Sequence, residues 1–116
     1  MEEIEKQQKE VCLKYGSGFV EAGREAKIGI ALNTIGSSPL NALRHPPEGD
    51  TSGWYSWGGE ELSRGADFFQ PLHVSHLKDK CPEIMKYLGL APGWRVLVAS
   101  EQEDVWYDEK LLDVEI

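Results

Sequence analysis

Residues 53–61, GWYSWGGEE, set the architecture that we expect of this chain. Aromatic residues favour a pleated, half-buried surface, and successive side chains of a strand point to opposite faces. The segment therefore predicts a strand that ends at Gly58-Gly59, since glycine adopts backbone conformations closed to other residues. Trp54 and Ser56 would share one face and Tyr55 and Trp57 the other, with one set in the core and the other near the surface.

Two interpretations of this segment stay open. The first is a core strand followed by a polar turn, because most aromatic stripes are core. The second is a recognition surface that combines aromatic rings with carboxylates. Its candidate contact residues are Trp54, Tyr55, Trp57, Glu60 and Glu61.

Charge limits the classes of partner. The chain has 116 residues and a net charge of −8. This length predicts one domain, residues 1–116, that can bury a core without a metal or a disulfide. The acidic excess disfavours direct binding to nucleic acid, which relies on Lys and Arg, and docking on an anionic membrane. It is compatible with a basic protein partner.

Most of the negative charge lies at the end of the chain. Residues 101–116 hold seven acids and one base, a net charge of −6. We expect these acids to steer a basic partner, although they could instead only keep the protein in solution. The candidate residues are Glu101, Glu103, Asp104, Asp108 and Glu109.

The compartment is predicted from the cysteines and from the start of the chain. Cys12 and Cys81 lie far apart in the sequence and are most simply read as free thiols of a cytosolic protein. The acidic start, MEEIEKQQKE, lacks the basic and then apolar pattern of a secretory signal. No apolar run approaches the ~20 residues of a membrane span. We expect a cytoplasmic protein without a cofactor.

The remaining segments predict an α+β fold, a small antiparallel sheet packed with two or three helices. Hydrophobic spacing predicts a first helix that ends at glycine, and the small residues of the first strand suggest a close neighbour on one face. Trp94 is expected to be buried at the start of the clearest strand. The predicted helices are residues 2–15, 72–81 and 82–88; the strands are 27–33, 94–100 and 105–107; residues 36–52 are an irregular loop and 101–104 a hairpin loop.

His73 and His76 offer an alternative, a small metal-dependent or hydrolytic enzyme. They are three residues apart in a predicted helix and would share a face, with Asp67 or Cys81 as a further ligand. No second motif supplies the other ligands at a recognisable spacing. Structural roles are therefore the simpler interpretation, and no catalytic or metal residue is assigned.

Four ordered blocks resemble a known family: NALRHPPEGDTSGWYSWGGEELS (41–63), DFFQPLHVSHL (67–77), CPEIMKYLGLAPGWRVL (81–97) and DVWYDEKLL (104–112). Together they resemble the thirty-third immunity family of bacterial polymorphic toxin systems, or a close relative. The N-terminal helix, within residues 1–18, lies outside these blocks. The resemblance implies a small cytosolic protein that neutralises a toxin made by sister cells, and it brings no catalytic residues.

The leading hypothesis is therefore a non-enzymatic protein that binds a cognate, basic toxin. The enzyme hypothesis and a general protein-interaction module remain as alternatives. The toxin, the binding face and the oligomeric state are not determined by the sequence.

Overall fold

A six-stranded mixed sheet forms the framework of the protein. The computed structural model describes residues 2–23, 25–59, 69–99 and 102–112. Across the sheet the strand order is β4-β1-β3-β2-β5-β6, and every neighbouring pair is antiparallel except β1 and β3, which run parallel. The strands are β1 (Lys27–Ile30), β2 (Leu40–Arg44), β3 (Thr51–Gly58), β4 (Gln70–His73), β5 (Trp94–Ala99) and β6 (Gln102–Tyr107).

This sheet is compatible with the α+β class, but the prediction of a small, wholly antiparallel sheet was wrong. The main reason is β2, which lies inside the predicted loop of residues 36–52 and yet pairs with both β3 and β5. Its polar residues hide the strand pattern. Asn41 donates to the carbonyls of Pro39 and Gly59, and the buried Arg44 also bonds to backbone carbonyls, so the polar groups of both find partners within a central strand.

Helix α1 (Glu2–Tyr15) and the helical segments between residues 74 and 87 cover one face of the sheet, whereas the 3-10 helix Glu109–Leu112 places Leu111 on the other face. Helix α1 forms as predicted and ends at Gly16, which has a φ of +84°. Gln8 fastens it to the predicted second short helix, a 3-10 helix at Pro82–Tyr87, by donating to the carbonyl of Met85 at 2.9 Å. Among the described residues, no helix is long and apolar enough to cross a membrane.

The helix predicted at residues 72–81 was wrong over its first half. Leu72 and His73 belong to β4, a 3-10 turn follows at Val74–His76, and only Leu77–Lys80 is α-helical (α2). Pro71 does not exclude a strand here, because β4 is an edge strand and proline is tolerated there.

Both faces of the sheet carry a hydrophobic cluster. On the helical face, Trp54 packs with residues of β1, β2, β5 and the helices. On the opposite face, which we call the open face, Trp57 and Leu43 pack with Ala31 and Leu111, and Tyr55 lies against them. The predicted separation of Trp54 from Tyr55 and Trp57 is confirmed, but Trp57 is also buried, so only Tyr55 of this set reaches the surface.

The close neighbour expected beside the small residues of β1 is Tyr55. Its ring lies over Gly29, where an added Cβ would be 2.6 Å from the ring. That distance is shorter than van der Waals contact allows, so any larger residue would displace the ring. Glycine at position 29 therefore fixes where Tyr55 stands on the open face.

Arg44 is a charged residue at the centre of the helical face, and its side chain is buried. Its guanidinium donates to the carbonyls of Val20, Leu90 and Ser52 at 2.6, 2.7 and 2.9 Å. A longer contact of 3.4 Å reaches the carbonyl of Leu88. Burial lowers the pKa of Arg44 to about 10, so the group stays protonated near neutral pH. Arg44 therefore joins two segments outside the sheet, at Val20 and at Leu90, to strands β2 and β3.

Candidate functional site

Strand β6 and the residues that follow it form the surface where charge and exposed aromatic rings meet. We call Gln102–Tyr107 together with Asp108 and Glu109 the acidic edge, because β6 is the outermost strand on its side of the sheet. Asp104 and Glu109 are exposed. Asp108 is half-buried and forms a 3.2 Å ion pair with Arg95. Its carboxylate also accepts a hydrogen bond from the backbone N–H of Lys110. Two of the predicted acids, Asp104 and Glu109, are therefore free to meet a partner.

Two aromatic side chains are exposed on the acidic edge. Trp106 is 39% exposed and Tyr107 is 49% exposed. Trp106 lies on the open face under the guanidinium of Arg95, 5.6 Å from its ring centroid. Tyr107 packs edge-on against Trp94 and lies against Gly93, where φ is +100° and a Cβ would not fit. Both rings are held in place by neighbours and yet reach solvent, which suits a contact residue.

Glu103 has a different role from the other acids. Its carboxylate accepts hydrogen bonds from the hydroxyls of Tyr15 and Tyr87 and lies 3.4 Å from Lys14 and 3.6 Å from Lys86. Burial alone would raise the pKa of Glu103, but these hydrogen bonds and the charge of Lys86 lower it to about 2. Glu103 is therefore less available to steer a partner than Asp104 or Glu109, because it fastens α1 and the 3-10 helix to β6.

The open face carries a second, aromatic feature around Tyr55. The ring of Tyr55 makes edge-to-face contacts with His45 at 5.5 Å and Phe69 at 5.2 Å between ring centroids. Beside it, a cleft of about 260 Å³ is lined by His45, Glu48 and Leu112 among others. His45 is oriented by a 3.0 Å hydrogen bond between its Nδ1 and the carbonyl of Leu111. The cleft adds an apolar surface on the same face as Trp106.

A family model described as the Imm33-like domain matches residues 7–108 of the chain. The chain belongs to this family. The matched range begins at residue 7 and so includes most of α1, which the four quoted blocks do not reach. No curated protein and no solved structure matches the chain.

The predicted aromatic contacts of this Imm33-like protein are only partly available. Trp54 is 1% exposed, and its indole N–H donates to the carbonyl of Leu88 at 3.1 Å, so it is a core residue. Trp57 is 5% exposed and packs against Phe69. Both are buried, whereas Tyr55 is partly exposed. Glu60, Glu61 and Glu101 lie outside the described residues.

Trp106 and Tyr107 were missed as candidates, although the sequence holds a signal for them. In a strand, Val105, Trp106 and Tyr107 cannot all point to the core face, because adjacent side chains alternate.

The two cysteines are buried and form no disulfide, and burial raises the pKa of both thiols. Trp94, which was expected to be buried, is half-buried because the edge of the sheet is close.

The histidines of the alternative hypothesis do lie near each other. His73 ends β4 and His76 lies in the next turn, and their ring centroids are 6.2 Å apart. The third ligands proposed for them do not complete a site: Cys81 is fully buried, and Asp67 lies outside the described residues. Within the described ranges, no group of three or more His, Cys, Asp or Glu side chains could hold a metal ion.

Proposed function

We propose that this Imm33-like protein is a non-enzymatic immunity protein, which binds and neutralises a cognate, basic toxin in the cytoplasm. Membership of the Imm33-like family supports an immunity role. The observation that carries the choice of surface is the acidic edge, where the exposed rings of Trp106 and Tyr107 stand beside exposed carboxylates.

The parts of the acidic edge suit different steps of binding. Asp104 and Glu109 are exposed acids at the border of the surface, and such charges act mainly on the rate of association. Trp106 and Tyr107 offer large, fixed apolar area, which acts mainly on the rate of dissociation. The net charge of −8 favours a basic protein over nucleic acid as the partner.

The experiment measures binding kinetics against the toxin domain encoded in the neighbouring reading frame. The Asp104→Lys/Glu109→Lys variant should associate roughly tenfold more slowly at low salt, and its association rate should depend less on salt. A matched control, Glu3→Lys/Asp79→Lys, makes the same change in net charge on the exposed surfaces of α1 and α2. Equal association rates for the two variants would show that the acidic edge is not where the toxin docks.

The contribution of Trp106 to toxin binding is tested with a separate variant. Trp106→Ala should raise the dissociation rate by roughly tenfold or more, as hot-spot tryptophans do. Trp106 lies largely at the surface, so this variant should remain as stable as the wild type within about 1 kcal/mol. An unchanged dissociation rate would remove Trp106 from the contact.

A further inference from the structure

The two edges of the sheet differ in how they are protected against pairing with another strand. β4 has four residues, includes Pro71, and continues directly into a 3-10 turn. β6 has six residues and contains neither proline nor lysine. Natural sheets commonly protect an exposed edge by shortness, proline or lysine, because unpaired backbone groups invite a further strand. By these criteria β4 is protected, whereas β6 is protected only by its acids Glu103 and Asp104, which repel an acidic strand but not a basic one.

The backbone groups that β6 leaves unpaired can be identified from its register with β5. Asp108 donates its backbone N–H to the carbonyl of Gly93 at 2.7 Å, so its N–H faces β5. In an antiparallel pair the direction alternates from residue to residue. Gln102, Asp104 and Trp106 therefore turn their N–H and C=O groups toward β5. Glu103, Val105 and Tyr107 turn theirs outward, and no other described strand pairs with them.

The charge of β6 decides between the possible occupants of this edge. Residues 102–109, QEDVWYDE, hold four acids and no base. A second copy of the chain would bring four more acids against them, which disfavours self-pairing. A segment rich in Lys or Arg would instead place a cation near Asp104 and apolar side chains near Trp106 and Tyr107.

We propose that an extended, basic segment of the toxin pairs with β6 and extends the sheet as a seventh strand. This inference rests on the proposed function and adds the mode of recognition to it. Backbone hydrogen bonds from Glu103, Val105 and Tyr107 provide the pairing, and the side chains of the acidic edge select a basic sequence.

The first test changes one outward N–H and nothing else in the ladder. Val105→Pro removes a donor that β5 does not use, and proline is tolerated on edge strands. Val105→Ala is the matched control, because it also removes the valine side chain from the core but keeps the N–H. Affinity for the toxin domain from the neighbouring reading frame should fall roughly tenfold more for the proline variant than for the alanine variant.

The second test uses the wild-type protein and so does not depend on the folding of a variant. Hydrogen exchange at single amides is measured with and without the same toxin domain. Binding should slow exchange at Glu103, Val105 and Tyr107 by about tenfold or more, with a smaller change at Gln102, Asp104 and Trp106. Side-chain contact alone would not produce this alternation.

The outcomes separate the inference from the function on which it rests. If the wild type binds the toxin but the exchange pattern does not alternate, strand addition is overturned and the immunity role stands. If the wild type does not bind the toxin, both are overturned. Alternating protection in concentrated free protein would assign the edge to a second copy and also overturn the proposal.

Discussion

Two pairs of arginine and tryptophan with the same spacing stand on opposite faces of the sheet. In each pair the guanidinium carbon lies 5.6 Å from the ring centroid, Arg44 over Trp54 and Arg95 over Trp106. Trp54 is 1% exposed and Trp106 is 39% exposed. Arg44 bonds to the buried backbone carbonyls of Ser52 and Leu90, whereas Arg95 pairs with the half-buried Asp108. The same type of contact therefore stabilises the core at Arg44 and Trp54, whereas at Arg95 and Trp106 it lies at the protein surface.

The largest expected difference between the pairs concerns the tryptophans. Trp54→Ala should lower the free energy of unfolding by about 3–5 kcal/mol, because it leaves a cavity in the core. Trp106→Ala should lower it by less than about 1 kcal/mol. Urea unfolding measures both. If Trp54→Ala does not fold, Trp54→Phe replaces it and should still be the less stable of the two variants. Equal losses would contradict the contrast between the pairs.

The arginines should differ in the same direction by a smaller amount. Arg44→Met keeps apolar bulk but leaves the buried carbonyls of Ser52 and Leu90 without this donor, so it should cost about 2–4 kcal/mol. Part of that cost is offset, because the desolvation of the charge is also removed. Arg95→Met is the control and should cost about 1 kcal/mol or less, since the ion pair with Asp108 is partly exposed. A destabilisation of Arg95→Met equal to that of Arg44→Met would show that burial does not set the difference.

The smallest expected effect on stability is at Glu103, which lies on the acidic edge but holds α1 and the 3-10 helix against β6. Its pKa is lowered from an ordinary 4.5 to about 2, so the folded state favours the ionised carboxylate. The stabilisation is complete above the ordinary pKa and is lost as the pH falls toward 2. Glu103→Gln should be about 1–2 kcal/mol less stable than the wild type at pH 7, with the difference vanishing near pH 2. Unfolding measured across this pH range would contradict the assignment if the difference stayed constant.

The sequence alone determined the local features of this protein. Helix α1, the hairpin of β5 and β6 and the division of Trp54 from Tyr55 and Trp57 follow from glycine positions and side-chain periodicity, which act over a few residues. The four ordered blocks of sequence also indicated the family. The acidic character of residues 101–116 follows directly from a count of their charged residues.

Tertiary structure decided which of these residues reach a partner. β2 was hidden because Asn41 and Arg44 are polar residues whose hydrogen-bond partners come from distant segments. Glu103 was indistinguishable from Asp104 until Tyr15 and Tyr87 were brought to it. That β6 is an edge, and that Trp106 is exposed while Trp54 is buried, depends on the order of strands in the sheet. Strand order arises from contacts between residues far apart in the chain, and local periodicity carries no information about it.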